Sequence, residues 1–257
     1  MRIVAHTCSN TEIVCALGRS DWLVGVDDHS DYPANIVAQI PRIGADLDID
    51  VEKVKALRPD LVITSLTVPG HERCLARLQA ADLPCLVTQP HTLADVVNDI
   101  RTIGDAIHAT EAADRLIQSF EKRLAAPPPS HDPVPIMVEW WPKPVIVPGR
   151  KSWVNEMLEL AGGVNPFADV NQESLQIETS QAIAAQPQAI VMSWCGVQEG
   201  KYRPHIVTRR EGWSDIPAVK SMRVVPISEA WLGRPGPRLI EGIDKLAEVV
   251  HLCLNKD

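Results

Sequence analysis

The sequence predicts an α/β fold with two Rossmann-like lobes, each built on a small parallel sheet, joined by one long helix and holding a ligand cleft between them. Three observations predict this arrangement. A helix–proline–strand unit occurs at 51–63 and again at 179–191. Strand-like and helix-like segments follow one another in the same order in both halves of the chain. One amphipathic stretch that ends in consecutive prolines lies between the halves.

The repeated unit is a periodic apolar helix, a proline and an apolar strand. Pro59 precedes the strand Leu61-Val62-Ile63, and Pro187 precedes the strand Ala189-Ile190-Val191. Proline ends a helix because it has no N–H to donate and clashes with the preceding turn. A unit used twice indicates two similar lobes. The alternative is a single α/β domain in which the similarity arose by chance.

The first half adds a strand and a helix before its repeated unit. A strand at 2–5 precedes a helix that Ser9 opens and Gly18 closes. Serine before an apolar period and glycine after it are the usual boundaries of a helix. Two further strands are predicted at 23–26 and 84–87.

The second half has the same order of elements. Apolar strands are predicted at 136–138 and 145–147, and Ser152 opens a helix that Gly162 closes. A last strand is predicted at 223–227, after the second repeated unit. Each half therefore predicts its own parallel sheet.

The stretch between the halves predicts one helix over 110–126. A capping threonine and acidic residues begin it, apolar residues recur at helical spacing, and the prolines at 127–129 end it. We therefore expect lobes at 1–91 and 132–257, with a joining segment at 92–131. A single helical connector is stiff, so we expect little relative motion of the lobes.

Composition and charge narrow the range of functions. A net charge of −8 argues against nucleic-acid binding, which needs a basic surface. No apolar run approaches the roughly 20 residues that a membrane helix needs. The six cysteines include no C-x-x-C pair and suggest reduced core thiols. We expect a monomer that does not insert into a membrane.

Tryptophans are the most informative candidates for ligand contacts. The chain has seven of them but only two Phe and two Tyr, and five lie in or near loops, at 140, 141, 194, 213 and 231. Ligands of open α/β sheets bind beyond the carboxyl ends of the strands, where these loops lie. An exposed indole offers a flat face and one hydrogen-bond donor. Packing at the edge of a lobe is the alternative role for each.

Several segments resemble substrate-binding proteins of bacterial ABC importers of the helical-backbone type (class III). They include Ser9-Asn10-Thr11-Glu12, Ser30-Asp31-Tyr32-Pro33 and Ala56-Leu57-Arg58-Pro59-Asp60-Leu61-Val62. Within this class the chain is most similar to vitamin B12 (cobalamin) binding proteins, through Gly149-x-x-Ser152 and Ala161-Gly162-Gly163-x-Asn165-x-Phe167. The resemblance covers nearly the whole chain. It implies a non-enzymatic protein that captures cobalamin or a related corrinoid and delivers it to a permease dimer.

The resemblance also implies particular ligand contacts. Tyr32 matches a tyrosine that faces the corrin, and Trp231 matches a tryptophan in the last cleft loop. Ser65 stands in a segment where relatives carry another tryptophan. The full predicted ligand-binding set is Tyr32, Ser65, Trp140, Trp141, Trp194, Trp231 and Arg234. No catalytic residue, resident metal or resident cofactor is predicted.

Docking on the permease is implied through one glutamate in each lobe. Glu52 falls on the first position, whereas Ser180 stands on the second and Glu178 lies two residues earlier. We expect Glu52 and Glu178 to serve this role. The alternative for Glu52 is an acidic residue that interacts favourably with the start of its helix.

The resemblance also implies an extracytoplasmic location. No signal peptide precedes the first strand as the chain is written. A cytoplasmic protein, a mature chain and a misplaced start codon would all look like this. An intracellular corrinoid-handling protein that is not coupled to transport is therefore one alternative function.

Other ligands and an enzymatic function are the remaining alternatives. A ferric siderophore or haem would need a basic cleft, for which the candidates are Arg150, Lys151, Arg203, Arg209, Arg210 and Arg234. A zinc or manganese importer would need loop histidines, and His6, His29, His71 and His205 are available. Of these, His6 and His71 are also the candidates to ligate the cobalt of a corrinoid, although the sequence favours ordinary loop histidines at both positions. The motif H-E-x-x-H fails at Leu75, and an enzyme built on Cys8 and His6 lacks an orienting third group.

Overall fold

A computed structural model describes residues 1–127 and 129–255. Contacts within the chain divide it into two compact units. Unit 1 comprises 1–90 and 94–122, and unit 2 comprises 91–93 and the chain from 123 onward. Each unit contains one four-stranded parallel sheet, which confirms the predicted α/β class.

The predicted domain boundaries at 1–91, 92–131 and 132–257 stay predictions. Three residues that fall in them, Pro128, Lys256 and Asp257, lie outside the described residues.

The sheet of unit 1 has the strand order β2-β1-β5-β6. The strands of this half of the chain are β1 Ile3–Ala5, β2 Leu23–Val26, β3 Gly44–Ala45, β4 Asp48–Ile49, β5 Leu61–Ser65 and β6 Cys85–Thr88. The helices are α1 Cys8–Ala16, α2 Ala34–Val37, α3 Val51–Ala56, α4 His71–Ala80, α5 Leu93–Ala106 and α6 Thr110–Leu124. Strands β3 and β4 form a separate antiparallel hairpin.

The sheet of unit 2 has the strand order β10-β7-β12-β13. The strands are β7 Val134–Glu139, β8 Trp141–Pro142, β9 Val145–Pro148, β10 Gly163–Val164, β11 Ser174–Gln176, β12 Ala189–Met192 and β13 Val224–Pro226. The helices are α7 Val154–Ala161, α8 Thr179–Ala185, α9 Pro204–Thr208, α10 Pro217–Lys220, α11 Glu229–Leu232 and α12 Leu239–Leu254. The predicted strand at 145–147 is real, but as β9 it belongs to a small antiparallel sheet with β8 and β11.

The repeated unit is repeated in three dimensions. In each unit the first strand after the edge pairs in parallel with the strand that follows the proline, with Val4 opposite Val62 and Met137 opposite Ile190. Each helix ends at a left-handed residue before the proline, Arg58 at φ 46° and Gln186 at φ 43°. By this register His6 and Glu139 occupy equivalent positions, because His6 follows Ala5 in the first unit as Glu139 follows Val138 in the second.

Two helices occupy the stretch that connects the halves of the chain. The helix predicted over 110–126 is found as α6, two residues shorter, and its predicted proline stop includes Pro128, which lies outside the described residues. Helix α5 was not predicted. Its first N–H, that of Leu93, donates to the Glu156 carboxylate over 2.5 Å. None of the helices described is long and apolar enough to span a bilayer.

Candidate functional site

The carboxyl edge of the unit 1 sheet carries a buried network of hydroxyl and amide groups. Ser65, at the end of β5, is fully buried, and its Oγ lies 2.7 Å from Thr88 Oγ1 and 3.2 Å from Thr7 Oγ1. Asn10 Nδ2 donates to Ser65 Oγ over 3.0 Å. The predicted ligand contact Ser65 thus lies at the expected edge, but its hydroxyl bonds to the protein beneath that edge.

Thr7 is held in a strained backbone conformation at this edge. Its φ of 85° and ψ of 139° lie in a region that β-branched residues rarely adopt. The residue is buried, and its hydroxyl bonds to Ser9, Asn10 and Ser65. Backbone strain of this kind is found chiefly at functional sites, where the surroundings enforce it. This backbone conformation was not predicted from the sequence.

Three histidines surround one carboxylate at the same edge. Asp46, at the tip of the β3–β4 hairpin, has its two oxygens 3.4 Å from His29 Nε2 and 3.5 Å from His71 Nε2. Its backbone oxygen lies 2.6 Å from His6 Nε2. The histidines were predicted as loop residues, but Asp46, which brings them together, was not predicted.

Exposed apolar side chains come from the loops next to this buried polar network. Tyr32 is 48% exposed, as a ligand contact requires. Leu47 and Val68, which the sequence did not single out, are 41% and 38% exposed. Three exposed side chains therefore come from loops that follow strands of unit 1 or from the tip of its hairpin.

In unit 2, the loop after β7 carries the accessible tryptophans. Trp141 is 39% exposed, and its indole N–H donates to the carbonyl of Lys143 over 3.1 Å. Trp140 is half-buried. The predicted contacts Trp140 and Trp141 therefore lie together at the carboxyl edge, with at least one accessible ring face between them.

The prediction that Trp194 is exposed is wrong. Only 4% of the residue is exposed, and its ring packs against Tyr202 in the core of unit 2. Its indole N–H donates to Glu139 over 3.0 Å. Glu139 is fully buried and accepts two hydrogen bonds from Arg210, over 2.7 and 3.1 Å. Trp194 thus donates a hydrogen bond to a buried carboxylate and does not expose its ring to a ligand.

Trp213 was also predicted near a loop and is buried. The guanidinium of Arg210 lies 4.1 Å from its ring centroid. Arg210 therefore joins a buried carboxylate to an aromatic face. Its positive charge is therefore paired with a carboxylate within unit 2.

Trp231 and Arg234 lie in and after α11. Trp231 is half-buried and has Lys245 4.8 Å and Arg238 5.1 Å from its ring centroid, so a ligand would meet a ring already in contact with cations. It also borders a cavity of about 320 Å³ within unit 2, lined by Glu199, Val225, Pro226, Ile227, Ser228, Lys245, Glu248, Val249 and Leu252. Arg234, expected in an open loop, is 7% exposed and pairs with Glu229 at 3.0 Å, which corrects that expectation.

The predicted docking glutamates differ in their surroundings. Glu52 projects into solvent from the first turn of α3, where Lys55 lies 3.0 Å away. Glu178 is also exposed but caps α8 through a reciprocal capping box with Gln181. Its carboxylate is already bonded to the backbone of the helix.

The histidines of unit 1 do not form a metal site. Among the residues that the structure describes, no group of three His, Cys, Asp or Glu side chains is arranged to hold a metal ion. His6 and His71 are buried, so the idea that either one reaches a corrin cobalt is wrong. Burial lowers the pKa of His6 to about 4, so this ring is neutral at physiological pH.

The family described as "Periplasmic binding protein" matches residues 3–230. The chain belongs to this family. The predicted resemblance is therefore confirmed, and so is the prediction that this substrate-binding protein is a transport component and not an enzyme.

Two relatives match along almost the whole chain. An uncharacterised ABC transporter substrate-binding lipoprotein of Bacillus subtilis, YvrC, is 32% identical over 97% of this chain and 80% of its own length. A vitamin B12-binding protein of Vibrio cholerae is 28% identical over 98% of this chain and 90% of its own length. These matches place the periplasmic binding protein family member among the substrate-binding proteins of ABC importers.

Solved structures show the same fold. The periplasmic haem-binding protein RhuT from Roseiflexus sp. RS-1 aligns with a TM-score of 0.85 at 27% identity, over 99% of both chains. The periplasmic vitamin B12 binding protein BtuF of Vibrio cholerae aligns with a TM-score of 0.78 at 26% identity, over 99% of this chain and 98% of its own. Binders of two different tetrapyrroles are therefore similar to this substrate-binding protein.

Proposed function

We propose that this substrate-binding protein captures cobalamin or a related corrinoid for an ABC importer. The aromatic side chains that we propose as its contacts are Tyr32, Trp140 and Trp141. A corrin is broad, apolar on its faces and ringed by neutral amides, so it suits aromatic surfaces with neutral hydrogen-bonding groups. Membership of a transport family favours this role over intracellular handling of corrinoids.

The observation that carries the proposal is that two cationic side chains of unit 2 are paired with carboxylates of the same unit. Arg210 and Arg234, two candidates for a basic cleft, pair with the buried Glu139 and the largely buried Glu229. Haem carries two propionates and many siderophores are anionic, so both need cations that are available to them. A cation already paired with a buried carboxylate leaves little net charge for an anionic ligand. A ligand with a neutral rim does not need an available cation.

The similarity to vitamin B12-binding proteins of Vibrio supports the same ligand class. The second candidate is haem, which the likeness to RhuT favours. His29 also favours it, because 41% of this side chain is exposed at the edge of unit 1. An exposed imidazole is a suitable ligand for haem iron.

Titration of the protein with cyanocobalamin, followed by tryptophan fluorescence and calorimetry, tests the proposal. We expect saturable binding at micromolar ligand. Trp141→Ala should weaken it by about 1–3 kcal/mol, the usual loss for an aromatic anchor. The control is Trp22→Ala, because Trp22 precedes β2 and lies at the opposite, amino edge of its sheet. Equal binding by wild type and Trp141→Ala would remove this residue from the site, and no saturable binding would contradict the ligand.

For docking, we propose that Glu52 contributes more than Glu178. Glu52 is a solvated side chain at a helix start, whereas Glu178 is engaged in capping its own helix. Glu52→Gln should reduce ligand-stimulated ATP hydrolysis by the reconstituted importer several-fold, with ligand affinity unchanged. Glu111→Gln, an equally exposed acid in the first turn of α6, is the matched control. An equal loss in both variants would refute a specific role for Glu52.

A further inference from the structure

The β3–β4 hairpin of unit 1 is fastened by imidazole rings from three separate elements. His6 follows β1, His29 lies in the loop after β2, and His71 begins α4. All three point a ring nitrogen at Asp46, at the hairpin tip, over the distances given above. The hairpin leads directly into α3, whose N-cap is Asp50. It therefore connects the exposed Leu47 at the candidate site to the helix that carries Glu52.

Hydrogen-bond partners fix which nitrogen of His6 bears the proton. The carbonyl oxygen of Asp46 can only accept, so His6 Nε2 carries a hydrogen and donates it over 2.6 Å. His6 Nδ1 then accepts from the hydroxyl of Thr64, also over 2.6 Å. The ring is fully buried and neutral, with both nitrogens satisfied. In this state it joins the hairpin to β5.

The partners of His71 are equally restrictive. The backbone N–H of Val68 donates to His71 Nδ1 over 3.3 Å, so the proton is on Nε2, which faces Asp46. At 3.5 Å from Oδ2 this buried Nε2 makes no well-formed hydrogen bond. The Nε2 nitrogens of His6 and His71 thus both carry a hydrogen toward Asp46, while their Nδ1 nitrogens accept from Thr64 and Val68.

The charges around His6 make the cluster unstable in acid. The ring of His71 is 5.4 Å from that of His6. The other polar or titratable groups around the hairpin include Asp27 beside His29, Cys74, whose Sγ lies 3.4 Å from the Asp46 carbonyl, Glu72 beside His71, and Arg77 of α4, which donates to the Asp48 carboxylate and the Ile49 carbonyl over 2.9 Å each. A proton on His6 would place a positive charge in a fully buried ring beside the His71 ring, and neither nitrogen of His6 has a carboxylate as its hydrogen-bond partner.

We propose that the 44–49 hairpin is an acid-released clasp, held on the edge of unit 1 by neutral His6 and freed when that ring takes up a proton. The pKa of the buried ring is depressed, chiefly by desolvation, to about 4 from an ordinary 6.5. A ring released from the clasp binds a proton more readily than a ring held in it. The closed hairpin is therefore fully favoured above about pH 6.5 and loses that advantage as the pH falls toward 4.

Hydrogen exchange of the hairpin amides, measured at pH 7.5 and pH 5.0 and corrected for intrinsic rates, tests the clasp. The amides of Asp28 and Asp50 report on it, because they donate to Gly44 and Ile43 over 2.9 and 2.7 Å. We expect their protection to fall on the order of tenfold or more at pH 5.0, as linkage to a ring with this shift requires. Protection of Ile190 in the unit 2 sheet should not change.

Two variants separate the clasp from general effects of acid. His6→Gln retains a donor and an acceptor but cannot titrate, so its hairpin protection should be the same at both pH values. His91→Gln is the matched control, because His91 approaches a carboxylate, Glu173, at 3.8 Å in unit 2. It should behave as wild type. A fall in protection that persists in His6→Gln, or that spreads to Ile190, would overturn the proposal.

An NMR titration of the His6 ring in the wild-type protein needs no variant. We expect the ring to stay neutral to well below pH 6 and to change together with the hairpin amides. Titration near pH 6.5 with an unmoved hairpin would also overturn the proposal. The exchange and NMR readouts need no ligand, so they stand if cobalamin fails to bind. Where the proposed function holds, cyanocobalamin affinity should fall at pH 5.0 in wild type but not in His6→Gln.

Discussion

At the scale of residues, the ends of the equivalent strands β1 and β7 are organised by buried polar groups. His6 is satisfied by a hydroxyl and a carbonyl, and Glu139 by a guanidinium and an indole. The sequence placed Trp194 correctly after a strand but could not predict its burial. That burial depends on Glu139 and Arg210, which are distant in the chain, and no local pattern encodes such a contact. The resemblance predicted Tyr32 as a ligand contact, and the position of Trp141 in or near a loop predicted its exposure; both side chains are exposed.

The Glu139–Arg210 pair gives a prediction at this scale. Arg210→Met should destabilise unit 2 by about 3–5 kcal/mol, because it leaves a fully buried carboxylate without its cation. Urea unfolding followed by tryptophan fluorescence measures the loss. The double variant Glu139→Gln/Arg210→Met should recover most of it, since a neutral amide can still accept from Trp194. A double variant as unstable as the single one would show that the charge is not the cause.

At the scale of elements, what could be predicted was local. The helix–proline–strand unit, the glycines that end α1 and α7 and the apolar strands lie within short stretches, and all appear in the structure at or near the expected residues. The predicted capping hydroxyls are wrong, because α1 and α7 have Thr7 and Trp153 at their N-caps, without side-chain caps, and α6 begins at Thr110 itself. Helix α5 was not predicted, although its apolar residues recur at helical spacing. The antiparallel sheet of β8, β9 and β11 was not predicted; in it β9 pairs with β11, whose residues lie about 28 positions later in the sequence.

The left-handed residue before each repeated proline gives a prediction for the element. Arg58 has φ 46°, where a side chain costs about 1 kcal/mol relative to glycine. Arg58→Gly should therefore be more stable than Arg58→Ala by about that amount, which reverses their order inside a helix. Thermal unfolding of the two variants measures it. If Arg58→Ala is the more stable variant, the left-handed conformation of residue 58 is not what ends α3.

At the scale of the whole molecule, each of the two units presents the carboxyl edge of a parallel sheet, and family membership makes the protein a substrate-binding component of an ABC importer. The fold and class could be predicted from the repeat and the resemblance. The polarity of the site could not, because the sequence shows how many arginines are available but not which of them are already paired with buried glutamates. That pairing is the basis for proposing a ligand with a neutral rim.

The most direct test of this central claim is a comparison of cyanocobalamin and haemin affinities in the same buffer, at low and at physiological salt. We predict that cyanocobalamin binds at micromolar concentration or tighter with little dependence on salt, and that haemin binds at least about tenfold more weakly, a difference of about 1.4 kcal/mol. Tighter binding of haemin, weakened by added salt, would contradict the account and assign the site to an anionic tetrapyrrole.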